Sequence, residues 1–125
     1  MRLLVCALVL VGVNGCGKKP PLVAGGQPVS YWVDALQSPD ARLRKQAALK
    51  LGNIGPSDSA VVPALIGALH DADTAVRCEA ILSMLKLGPD ARDAVPALTE
   101  VQEKDRDPKV RAYAAKALDK LHEGK

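Results

Sequence analysis

The chain has 125 residues, 48% of them hydrophobic, which is enough for one domain with a buried core and excludes a disordered chain. Aromatic residues supply only 2%, namely Tyr31, Trp32 and Tyr113, so the core must be built from Ala, Leu, Val and Ile, side chains suited to closely stacked helices. A formal charge of +3 is weak for a nucleic-acid binder, in which a pI above about 9 and a clear basic face are expected.

The first sixteen residues stand apart. Arg2 gives a basic start, Leu3 to Val13 is an apolar run of eleven residues, and small residues lead into Cys16. The run is shorter than the roughly 20 apolar residues a membrane span needs and fits a secretory signal peptide. Val13-Asn14-Gly15-Cys16 resembles the lipobox of bacterial lipoprotein precursors, although Asn14 departs from the small or branched residue usual there. The resemblance implies a leader over 1–15, lipid on Cys16 and export to the cell envelope; Gly17, in place of an aspartate, points toward the outer membrane or its periplasmic face. Alternatively the segment is an ordinary secretory signal or an uncleaved anchor, and Cys16 is incidental. Residues 16–28 form a tether, rich in proline and glycine from Gly17 to Pro28 and without periodicity. Lys18 and Lys19 within it either touch anionic headgroups or simply keep it soluble.

With Cys6 lost in the leader and Cys16 lipidated, Cys78 is the remaining thiol and has no partner for an internal disulfide. Its equivalents in the repeat described next are Lys45 and Ala112, which marks a tolerant surface position rather than a nucleophile.

Residues 29–125 carry an internal repeat. Asp40, Asp73 and Asp107 recur at separations of 33 and 34 residues, and each is followed four residues later by Arg44, Arg77 or Arg111. The same apolar frame surrounds each pair: Leu43, Ala47, Leu51; Val76, Ala80, Met84; Val110, Ala114, Leu118. Such a period indicates a solenoid. The pattern predicts an all-α fold of three two-helix repeats, about 29–60, 61–93 and 94–122. First helices are expected over Val29–Gln37, Val61–His70 and Ala94–Lys104, and second helices over Ala41–Asn53, Thr74–Leu87 and Pro108–His122. Aspartates stand where helix starts need an acceptor, and Gly55-Pro56 and Gly88-Pro89 where helices stop. Val62-Pro63-Ala64-Leu65 returns as Val95-Pro96-Ala97-Leu98, with proline in a first turn. Repeat one has Tyr31-Trp32 at that level, and repeat three carries one extra residue before Asp107. Trp32 is expected in the core or over the N-terminal end of the stack.

This recurring frame, as in Ala47-Ala48-Leu49-Lys50-Leu51-Gly52-Asn53-Ile54-Gly55, resembles the short bacterial HEAT repeats of phycobilin lyase-like proteins. The resemblance covers Val29 to about His122. It implies a structural ladder between repeats made by Asp40, Arg44, Asp73, Arg77, Asp107 and Arg111, each arginine reaching its own aspartate or the counterpart in the next repeat. It also implies that second helices line the inner face. That face would carry Arg42, Lys45, Lys50, Lys86, Lys109, Lys116 and Lys120 against Glu79 and Asp119. An acidic partner protein or anionic headgroup would suit it; alternatively these lysines only solvate helix faces. Tyr113, expected to be exposed beside Lys109 and Lys116, is the best single anchor.

The leading functional expectation is therefore a lipid-anchored, non-catalytic module that binds another protein through its stacked helices. HEAT-like repeats also occur in bilin lyases and in glycosylases of alkylated DNA, which supplies an enzymatic alternative, and a subunit of a larger envelope assembly is a third. No catalytic constellation, cofactor site, metal site or small-molecule substrate is legible: His70 and His122 are not spaced as metal ligands. Few aromatics and an export signal make nucleic acid a poor partner.

Overall fold

The structure is a computed structural model that describes residues 23–24 and 26–124. The leader, Cys16 and the first part of the tether lie outside them. Six α-helices follow in order: α1 Val29–Ala35, α2 Ala41–Ile54, α3 Val61–Ala68, α4 Thr74–Leu87, α5 Val95–Lys104 and α6 Pro108–Glu123. They form three helical hairpins, α1/α2, α3/α4 and α5/α6, and the second helices stack as a continuous layer in which α4 packs on both α2 and α6. The fold is the expected all-α solenoid, with helix ends within about two residues of those read from the sequence.

Each second helix starts from an aspartate in extended backbone. Asp40 Oδ1 accepts the Arg42 amide at 2.9 Å, Asp73 Oδ1 accepts those of Ala75 at 2.8 Å and Val76 at 3.2 Å, and Asp107 Oδ1 accepts that of Lys109 at 2.8 Å. These bonds satisfy amides that a helix start leaves unpaired, each contributing about 1 kcal/mol. The first two second helices end on Gly55 and Gly88, whose φ of +81° and +58° lies where side chains with a Cβ are strained.

Small residues in the frame let helix backbones approach closely. Ala47, Ala48, Ala80, Ala114 and Ala117 are fully buried, interleaved with Leu51, Leu65, Ile81, Met84 and Leu98. One such approach joins α2 to α4. A Cβ added at Gly52 would overlap the Ser83 side chain and lie 3.0 Å from its Cα, and Ser83 Oγ donates to the Ala48 carbonyl at 2.9 Å.

Three local features depart from the expected pattern. Val23–Ala24 and Gln27–Pro28, placed in the tether by their composition, pair as a short antiparallel hairpin in register Val23 with Pro28 and Ala24 with Gln27. Gly26, at φ +78°, supplies the turn conformation. Residues Gly88–Ala94, expected as a stop and a loop, form 3₁₀ turns on either side of a kink at Ala91. In the equivalent connection Asp58 captures the Ala60 amide at 2.8 Å; its counterpart Ala91 has no acceptor and is fully buried instead. The extra residue of repeat three lengthens α5, which runs to Lys104 where α3 gives way to a turn after Ala68.

Candidate interaction surface

The recurring charges occupy two different places. Arg44 grips Asp71 with both edges of its guanidinium, Nε to Oδ2 at 2.9 Å and Nη2 to Oδ1 at 3.1 Å, while Nη1 donates to the Ser38 carbonyl at 2.7 Å. Arg77 grips Asp105 at the same two distances, and its Nη1 donates to the Asp71 carbonyl at 2.9 Å. Arg111 Nη1 donates to the Asp105 carbonyl at 2.6 Å.

The carboxylates on these rungs are thus Asp71 and Asp105, two residues before the capping Asp73 and Asp107. This corrects the sequence-based pairing: a capping carboxylate is already committed to amides at the start of its own helix. Each rung carboxylate also accepts the amide of the following cap, Asp71 Oδ1 from Asp73 and Asp105 Oδ1 from Asp107, both at 2.9 Å. In repeat one the same position is Ser38, whose Oγ accepts the Asp40 amide at 3.1 Å. The missed signal was the doublet Ser-x-Asp, Asp-x-Asp, Asp-x-Asp, repeating with the same period as the caps.

The Arg77–Asp105 pair has side chains only 6% and 7% exposed. Burial alone would raise the Asp105 pKa, but the Asp107 amide and the Arg77 guanidinium outweigh it and hold the carboxyl below its usual range. Among the described residues no buried side-chain nitrogen or oxygen lacks a hydrogen-bond partner. The Arg44–Asp71 and Arg77–Asp105 rungs are internally satisfied, which sets them apart from the candidate interaction surface.

That surface is the solvent-facing side of the second-helix layer. Positions there align across the repeats as Arg42, Ala75 and Lys109; Gln46, Glu79 and Tyr113; Leu49, Leu82 and Lys116; and Asn53, Lys86 and Lys120. At its centre a shallow groove of about 350 Å³ crosses all three second helices. Its floor and walls are Ala75, Cys78, Leu82 and Tyr113, with Lys45 from α2 and Lys109 from α6 at its sides and Glu79 between. Lys109 Nζ stands 5.7 Å from the Tyr113 ring centroid.

The candidate cations are therefore not equivalent. Lys45 and Lys109 share the groove with Tyr113, whereas Arg42, Lys116 and Lys120 are exposed on the same helices outside it. Lys86 Nζ donates to Asn53 Oδ1 at 3.0 Å, and Lys50 Nζ stands 6.0 Å from the buried Trp32 ring centroid, a contact like that of Lys109 with Tyr113; neither lysine lines the groove. Tyr113, expected to be exposed, is half-buried and packs against the core. Cys78, expected at a tolerant surface position, is likewise half-buried against the core. Burial raises its thiol pKa despite the nearby Lys109, which keeps it a thiol at neutral pH.

Leu82, which the sequence reading passed over, is 37% exposed. It and its counterpart Leu49 fall off the buried stripe and are not among the side chains packed into the core. Among the described residues no cluster of His, Cys, Asp and Glu could hold a metal ion, and no helix is long and apolar enough to cross a membrane.

Helical hairpins stacked in register and joined by repeated arginine–aspartate rungs define an α-solenoid protein. The model for HEAT repeats matches residues 29–122, and the chain belongs to that family. Among solved structures it is similar to the complex of CpcE and CpcF of phycocyanin lyase from Nostoc sp. PCC7120, at 35% sequence identity and a TM-score of 0.67. The likeness covers 85% of this chain and 42% of that one, so the chain spans less than half the length of that relative. No curated protein matches it.

Proposed function

We propose that this HEAT-repeat chain is a non-catalytic interaction module that binds a protein partner through the face formed by α2, α4 and α6. The observation that carries this reading is the groove between Lys45 and Lys109, lined by Leu82 and Tyr113, while Arg44 and Arg77 are paired with Asp71 and Asp105 within the scaffold. The similar solved structure is a complex of two proteins, which supports a protein partner. The lipobox-like Val13-Asn14-Gly15-Cys16 supports the finer reading of a lipid anchor at Cys16 that holds the module in the bacterial envelope.

Affinity capture from envelope membranes, with the full chain and its K45E/K109E variant as parallel baits, tests the module. The expected result is a reproducible protein recovered by the first bait and lost with the second while circular dichroism is unchanged. Recovery of the same background by both baits contradicts it. Intact mass measurement of the envelope-purified protein tests the anchor: a diacyl or triacyl adduct at Cys16 supports it, and an unmodified Cys16 removes it.

A second reading, a lyase-like subunit, is favoured by the phycocyanin lyase likeness. Transfer of a bilin to an acceptor protein by the purified chain would establish it in place of the non-catalytic module.

A further inference from the structure

Leu82 is one of only two large apolar side chains exposed among the described residues, the other being Tyr31. Its position in the groove is not explained by packing. Leu49 occupies the equivalent place on α2, the helix on which α4 packs, so two leucines one repeat apart lie outside the core on one face. Cations stand on either side. Lys45 reaches the groove from α2 and Lys109 from α6, with Lys116 one turn beyond Tyr113 on α6. Glu79 offsets only part of that charge.

An apolar centre between cations is complementary to a large apolar side chain flanked by carboxylates. Apolar burial supplies affinity, and the charges orient the segment and speed its approach. Phosphate-bearing ligands fit less well. A headgroup or a nucleic-acid backbone would use the lysines but leave Leu82 in water, and Tyr113 alone offers little stacking surface for bases.

Resting on the interaction-module reading, we infer that the groove across α2, α4 and α6 docks an acidic amphipathic segment of the partner, with a large apolar residue seated on Leu82 and carboxylates directed to Lys45 and Lys109.

Selection of random displayed peptides on the immobilised full chain tests this directly. The enriched sequences should be net acidic and share a large apolar residue with Asp or Glu on both sides. Their affinity should fall at least about tenfold with Leu82→Asp, equivalent to about 1.4 kcal/mol, and again with K45E/K109E, but not with Lys104→Glu on α5. Circular dichroism confirms that each variant is folded, and Leu82→Ser serves as a milder substitution. Neutral or basic enriched peptides, or acidic ones indifferent to Leu82→Asp, overturn the inference. So does the absence of acidic peptides together with groove-dependent binding to phosphatidylglycerol vesicles, which would make the face a lipid-binding one. If the envelope partner is still captured by the Leu82→Asp bait, the groove assignment fails while the module reading stands.

Discussion

Arg77 and Asp105, 28 residues apart in sequence, close the seam between the second and third repeats with two hydrogen bonds of 2.9 and 3.1 Å. Arg44 and Asp71 close the preceding seam with the same distances across 27 residues. The extra residue of repeat three is absorbed by the longer α5, so the second rung carboxylate, Asp105, arrives in the same place as Asp71. The rung therefore fixes the register of adjacent hairpins, while the capping aspartates act inside single helices.

Rung and cap are separable by mutation. Asp105→Ala leaves the buried Arg77 guanidinium without its counter-charge, and removing one partner of a buried pair costs about 3–5 kcal/mol. Asp107→Ala removes one amide acceptor, at about 1 kcal/mol. Urea unfolding of the two variants should place Asp105→Ala well below Asp107→Ala in stability. Equal losses would contradict the assignment of the rung to Asp105.

The same carboxylate gives stability a defined pH dependence. The folded-state pKa of Asp105 is depressed, so its contribution is fully present above the unfolded value of about 3.9 and is lost as pH falls through the lower folded value. The difference in urea midpoint between the native chain and Asp105→Asn should be constant from pH 7 to about pH 5 and shrink below about pH 4. A difference that persists unchanged in acid would show that the ionised carboxylate is not the source.

Two glycines should respond in opposite directions to alanine. Gly52→Ala puts a Cβ into Ser83, and overpacking of this kind costs about 1–3 kcal/mol despite alanine's better helix propensity. Because the overlap includes the Ser83 Cβ, Ser83→Ala should not rescue it. Gly67, exposed in α3 with nothing within 4 Å of an added Cβ, should gain about 0.5–1 kcal/mol from the same change. Thermal unfolding measures both.

Cys78 should be a slow nucleophile. Its half-buried thiol has a raised pKa, so site-resolved alkylation at pH 7 should lag behind a free cysteine and accelerate only in alkaline solution. Rapid modification at neutral pH would indicate an activated thiolate.

The helices were legible because period, caps and stops agree: aspartates at 33 and 34 residues, apolar side chains at three and four, and Gly-Pro at two helix ends. The rung partners were not: reach into the next repeat was one of the two expected pairings, but the acceptor there is the aspartate two residues before the cap, because the cap carboxylate is committed to its own helix. The small hairpin at Val23–Pro28 was hidden because two residues per strand carry no periodicity. Of the interaction face, the cations were visible by composition, but Leu82 was not distinguished from core leucines until its helix had a defined orientation. Which lysines line the groove was hidden for the same reason: Lys45 and Lys109 do and Lys50 and Lys86 do not, a division set by how the three helices pack.

The central claim is that a partner occupies the second-helix face, and photo-cross-linking in the native cell tests it most directly. A photoreactive residue placed at position 82, in the groove, is compared with one at position 103, exposed on α5. A single discrete protein adduct from position 82 that is absent from position 103 is predicted. Adducts from position 103 alone, or the same diffuse pattern from both positions, would contradict the account.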